Sequence, residues 1–176
     1  MASDTLNADL VTDANVSAWA RASRSPFPHM SPYDSAVWSA FLRVTPRTLS
    51  LVTYDVALGG RSARHVTNSD GLKAMWVTLI KKRVDVVCRV GGEVWTVEVK
   101  PTANMAALGQ VLTYAFLWNS EGRSKQNARP VIICSRVDED VEAVLRFYDV
   151  LLVVVKPSVD GEPPALVKVS GSLPLA

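Results

Sequence analysis

Residues 83–114 read RVDVVCRVGGEVWTVEVKPTANMAALGQVLTY, and they hold two strands, the turn between them and the helix that follows. Val84 to Val90 and Glu93 to Val99 are rich in β-branched residues and are separated by Gly91 and Gly92. A Gly-Gly pair takes the positive φ values of a two-residue hairpin turn without steric cost, so the two runs are predicted to pair as antiparallel strands. With that turn Val90 stands opposite Glu93, and Asp85 stands opposite Glu98 on the same face of the sheet. Two carboxylates facing each other across a ladder repel, so the pair calls for a compensating charge.

A divalent cation, magnesium or manganese, is the simplest compensation, because hard ions accept converging carboxylate oxygens. Lys100 lies two residues beyond Glu98, and strand alternation puts its ammonium on the same face. Val84, Val86, Cys88, Val90, Trp95, Val97 and Val99 make the opposite face strongly apolar, while Val87 and Val94 share the carboxylate face. A face that mixes valine with Asp and Glu fits the half-buried floor of a cleft. The plainer alternative is three solvated charges on an antiparallel sheet, and an E-x-K tripeptide alone does not decide between them.

Pro101 cannot donate to a ladder and fits the exit of a strand or the first turn of a helix. Ala103 to Trp118 is predicted to be that helix. Ala103, Ala107, Gln110, Tyr114 and Leu117 or Trp118 recur at helical spacing, and the small residues Ala106, Ala107 and Gly109 allow close approach to the sheet. Gln110 and Tyr114, one turn apart, offer an amide and a hydroxyl at the edge of the carboxylate pocket. Taken singly they equally describe a core helix that tolerates one glutamine.

The combination is more specific. Asp85, then Glu98-Val99-Lys100, then Gln110 to Tyr114 as Q-V-L-T-Y resembles the PD-(D/E)XK, or restriction-endonuclease-like, nucleases, in particular the RecB-type branch with its Q-x-x-x-Y helix. The likeness spans about Ser31 to Val137. It implies that Asp85 and Glu98 bind magnesium or manganese, that Lys100 positions or helps activate the attacking water, and that Gln110 and Tyr114 support the site and contact DNA. Val84 stands where the family often has proline. That branch also commonly has an acidic residue or histidine upstream. Asp34, in Ser31-Pro32-Tyr33-Asp34, is placed to cap a helix. Asp55, in an alternating strand with Leu49, Leu51, Thr53 and Ala57 on one face, approaches the metal only if its strand pairs with the Val84 strand. His29 and His65 read as loop histidines, since no second ligand lies at metal spacing.

The order of elements predicts an α/β domain with a restriction-endonuclease-like mixed sheet flanked by helices. A helix from Pro32 to Arg43, a strand from Leu49 to Leu58 and a helix from Leu72 to Lys81 precede the hairpin. After the Ala103 helix come a strand from Val131 to Cys134, a helix from Asp138 to Tyr148 and a strand from Val150 to Val155. Strand, helix and strand from Glu93 to Cys134 imply a parallel crossover. The single domain is assigned to residues 31–156, between a polar arm at 1–30 and a Pro-rich tail at 157–176 with a short edge strand from Ala165 to Val169.

A chain of 176 residues with 48% hydrophobic residues can fill one core. Its net charge of +2 is too small to announce nucleic-acid binding, so DNA contacts would rest on Lys81-Lys82-Arg83 and on Arg123, Lys125 and Arg129. The first cluster equally fits a solvated helix end. Cys88 and Cys134 sit in apolar runs and read as buried and reduced, which with no signal peptide and no spanning segment points to the host cytoplasm, or a virion if phage-encoded. Two function classes follow. One is a magnesium-dependent DNase, encoded by a phage or mobile element. The other is a non-catalytic, structural or DNA-contacting component of a phage particle or larger assembly. Residues 1–30 are expected to join a homo-oligomer or such an assembly.

Overall fold

A computed structural model describes residues 27–45, 49–60, 70–158 and 161–171. Helix α1 (Pro32–Val44) starts where the sequence predicts: Ser31 and Asp34 form a reciprocal capping box and Pro32 occupies the first turn. Strand β1 (Leu49–Leu58) and helix α2 (Asp70–Ile80) lead to the hairpin strands β2 (Lys82–Val90) and β3 (Glu93–Ala103). Helix α3 (Met105–Ser120), strand β4 (Ala128–Val137), helix α4 (Glu139–Phe147), strand β5 (Leu151–Lys156) and strand β6 (Ala165–Ser170) complete the chain order. One mixed sheet takes all six strands in sequence order, β1 to β6. The β3–β4 and β4–β5 pairs are parallel and the others antiparallel, so α3 and α4 are the crossovers.

The hairpin register is the one the two glycines require, with Val90 paired to Glu93 and Val86 to Val97. Beyond Val86 the two strands part. Strand β3 runs on through Pro101 to Ala103, further than predicted, and Ala103 belongs to it rather than to the next helix. Proline is tolerated there because β3 past Val97 is laddered only on its β4 side. Asn104 then caps α3, accepting from the Ala107 N–H at 3.1 Å.

Two apolar layers cover the sheet. On one side Phe27, Met30 and α1 residues Val37, Trp38 and Phe41 pack on Val86, Cys88, Trp95, Val97, Val99, Val131, Ile133 and Val153. Phe27 and Met30, at the end of the segment read as a polar arm, are thus part of the core; residues 1–26 and His65 lie outside the described residues. On the other side α3 and α4 pack on Ile132, Cys134, Leu152 and Val154. Tyr114 with Leu58, Val84, Val87 and Val94 continues that layer.

The predicted alternation fails at two places in β1. Leu51 (φ 50°) and Asp55 (φ 53°) have left-handed backbones, and the ladder slips between Ser50 and Thr53. As a result Leu49, Val52 and Tyr54 meet the α1 layer, whereas Val56 and Leu58 meet Tyr114. Val84, paired with Val56, changes sides in the same way and leaves the Val86 face to which alternation assigned it. The facing of the side chains therefore changes at the row that holds Asp55 and Asp85. Among the described residues no helix is long and apolar enough to cross a membrane.

Candidate functional site

The site lies where β2 and β3 separate. Val97 and Val99 face α1, so Glu98 between them faces α3. Asp85, freed from the ladder, turns its carboxylate onto the strand it has left and accepts the Val99 N–H at 2.8 Å. The Glu98 side chain is 1% exposed, and the Lys100 Nζ lies 2.9 Å from its Oε1. Apart from this ion pair with Lys100, neither Glu98 oxygen has a hydrogen-bond donor. The only hydrogen bond open between Glu98 and the facing Asp85 needs a proton on one of them.

The electrostatics follow from that arrangement. Burial first, then the Asp85 charge, push the Glu98 carboxyl up to about 7 against the pull of Lys100. Burial likewise raises Asp85, partly offset by the Val99 N–H and Lys100. For Lys100 burial works downward, but the pairing with Glu98 and the charges of Asp85 and Asp34 together raise it. Two carboxylates and one ammonium thus converge around a buried Glu98, whose carboxyl is pushed up to about 7.

Helix α3 supplies the wall. The Gln110 Nε2 donates to the Tyr114 hydroxyl at 3.1 Å, and Tyr114 is buried. Its phenol is pushed up to about 12 by burial and by the charge of Glu98, which places the hydroxyl in the field of the carboxylates. All five residues singled out in the sequence, Asp85, Glu98, Lys100, Gln110 and Tyr114, are therefore gathered on the α3 side of the splayed strands. Of the small helix residues, only Ala107 is buried against the sheet; Ala106 and Gly109 are exposed and a Cβ on Gly109 would meet nothing, so neither allows the close approach that the sequence assigned to them.

The upstream acids divide. Asp34 does cap α1, with the Ser31 N–H donating to its Oδ2 at 3.2 Å, yet its charge also raises Asp85, Glu98 and Lys100. The cap thus also adds negative charge to the field of the carboxylate pair. Asp55 comes level with Asp85, since β1 does pair with β2, but its carboxylate is taken by Arg83 and by His29 Nε2 at 3.0 Å. His29, read as an isolated loop residue, is in this cluster; nothing in local spacing linked it to a strand aspartate.

Of the basic clusters, Lys82 and Arg83 belong to β2 and not to a helix end. The second cluster is dispersed. Arg123 pairs with Glu121 at 2.8 Å beside the Trp118 ring, while Arg129 is largely buried near Glu93 and Asp149. Among the described residues no three His, Cys, Asp or Glu side chains make a ready-formed metal cage. Two facing carboxylates, of which Glu98 has no hydrogen-bond donor on either oxygen while Asp85 accepts the Val99 N–H, nevertheless fit magnesium or manganese, which is commonly held by one or two protein carboxylates, with waters and substrate phosphate filling the shell. No protein-family model, no curated protein and no solved structure matches this chain.

Proposed function

We propose that the chain is a divalent-metal-dependent DNA nuclease, a PD-(D/E)XK-type phosphodiester hydrolase of the RecB-like branch. The observation that carries this reading is Glu98: a fully buried carboxylate, facing a second carboxylate, with neither oxygen given a donor. Lys100, its Nζ 2.9 Å from Oε1, offsets part of the cost of burying that charge, and one ammonium against two facing carboxylates leaves a place for a second cation. Asp85 and Glu98 would hold magnesium or manganese; the bound metal would supply a lowered water pKa and polarise the scissile phosphate. Lys100 is 33% exposed, with its ammonium against Glu98, and its charge would stabilise the negative charge developing on the phosphate. Asp85, fixed by the Val99 N–H, is oriented before any ligand arrives. Gln110 and Tyr114 brace the α3 wall and limit how water enters.

A second reading keeps this fold as a non-catalytic, DNA-contacting or structural part of a larger assembly, and it is favoured by the convergence of only two acidic side chains at hand for a metal. Incubating pure protein with linear and circular DNA, with and without magnesium or manganese, separates the two. Cleavage that requires the metal and disappears in Asp85→Ala supports the enzyme. No cleavage of any DNA or RNA, with stoichiometric co-purification of partner proteins, supports the structural role. Assembly through residues 1–30 belongs to the same proposal; light scattering on the full chain and on a chain beginning at residue 27 tests it.

A further inference from the structure

Asp55 stands between the Tyr54–Val86 and Val56–Val84 pairs, which sets it across the ladder from Asp85. Its side chain is 11% exposed and carries two much more exposed groups, Arg83 at 46% and His29 at 67%. Arg83 donates through Nε and Nη2 to the two carboxylate oxygens, so Asp55 engages one edge of the guanidinium and not the Nη1 edge. Lys82, exposed, precedes Arg83. Both anchors have left-handed backbones, His29 at φ 59° and Asp55 at φ 53°. That conformation is uncommon outside glycine and persists where the surroundings hold it, often at working positions. A buried aspartate in a bulged strand thus presents an oriented arginine and a histidine to solvent.

We propose that Arg83 and His29, held by Asp55, bind the phosphodiester backbone of DNA beside the carboxylate pair and set which phosphate reaches it. The proposal rests on the nuclease reading for the location of the scissile phosphate. Arg83 lies two residues from Asp85 on the same strand, about 6.6 Å along β2. One nucleotide step of a backbone whose phosphate lies at Asp85 and Glu98 spans that separation, so the neighbouring phosphate comes within reach of the Arg83 side chain. Arginine suits that contact, because its free edge matches two phosphate oxygens at once. Asp55 is a positioning residue here: it fixes the fork and does not touch DNA.

The test is binding of a labelled duplex in chelator, where nothing is cut, at salt from low to moderate, using the parent, Arg83→Ala, Arg83→Lys, His29→Ala and, at the remote end of the same strand, Arg89→Ala. Arg83→Ala is expected to weaken binding about tenfold on two unrelated sequences and to lower the salt slope by about one. Arg83→Lys, which keeps the charge and guards against loss of folding, should keep the slope yet lose affinity because it lacks the fork. His29→Ala should weaken binding severalfold, and Arg89→Ala should match the parent. With magnesium, the Arg83→Ala defect should fall on KM. Parent-like affinity and slope in both Arg83 variants, or a parent that binds no DNA, would overturn the subsite. Arg83-dependent binding by a parent that cuts nothing keeps the subsite and sinks the nuclease reading, whereas metal-dependent cutting indifferent to Arg83 does the reverse.

Discussion

Replacing Glu98 by Gln should make the metal-free protein more stable at pH 8 and leave it unchanged at pH 4.5. The Glu98 carboxyl is pushed up from 4.5 to about 7, chiefly by burial. Because the folded protein holds that proton more tightly than the unfolded chain, ionising it works against folding. The penalty is absent below 4.5, grows as pH rises toward 7, and is complete above it. At about 1.4 kcal/mol per pH unit of separation, the full penalty is about 3 kcal/mol, or roughly 6–12 °C in Tm for a chain of this length. Asp85 is raised in the same direction, so the two titrate as a pair. Glutamine imitates the protonated form and can donate to Asp85, while Lys100 keeps Asp85 as a counter-charge. Thermal and urea melts of parent and variant in chelator, from pH 4.5 to 8, give the difference directly and cancel every group the two proteins share. Adding magnesium at 100 times its Kd at pH 8 should then return about 2.7 kcal/mol to the parent and little to the variant. A difference that stays flat across the range, or a parent more stable than the variant at pH 8, would refute the account of Glu98 as a buried carboxylate that Lys100 compensates only in part.

Other outcomes follow from the same geometry. Asp85→Ala and Glu98→Ala should each abolish divalent-dependent DNA cleavage, because each removes a metal ligand; cutting at the parental rate by either variant would remove the metal role. Lys100→Ala should lower turnover by roughly two orders of magnitude or more while DNA affinity changes far less, as single-turnover and anisotropy measurements would show. Tyr54→Phe should cost about 1–3 kcal/mol in urea melts, since the buried Trp38 Nε1–H, 3.1 Å from the Tyr54 hydroxyl, would lose its acceptor.

The part of this site that can be read along the chain is the part set by short-range rules. Gly91-Gly92 leaves one economical register as far as Val86 and Val97, which brings Asp85 level with Glu98 and puts Lys100 on the Glu98 side, although Asp85 itself lies outside the β2–β3 ladder. Gln110 and Tyr114 follow because a helix places residues four apart on one stripe, and they meet at 3.1 Å. What escapes such reading has two causes. Leu51 and Asp55 adopt left-handed backbones without being glycine, so no residue type announces the breaks that turn Val56, Leu58 and Val84 toward α3. Period-two alternation holds only while the ladder does, and it fails where β2 leaves β3, which is where the carboxylates need room. The second cause is distance: His29, Asp55 and Arg83 come together from a turn and two strands, and the burial of Phe27 and Met30 under the sheet is what carries His29 to Asp55. Both features lie at the row where the facing of β1 and β2 changes. There Asp85, beyond the last β2–β3 pair, accepts the Val99 N–H, and Asp55 stands across from it with Arg83 and His29 attached, so the charge a phosphate strand would meet lies beside the carboxylate pair.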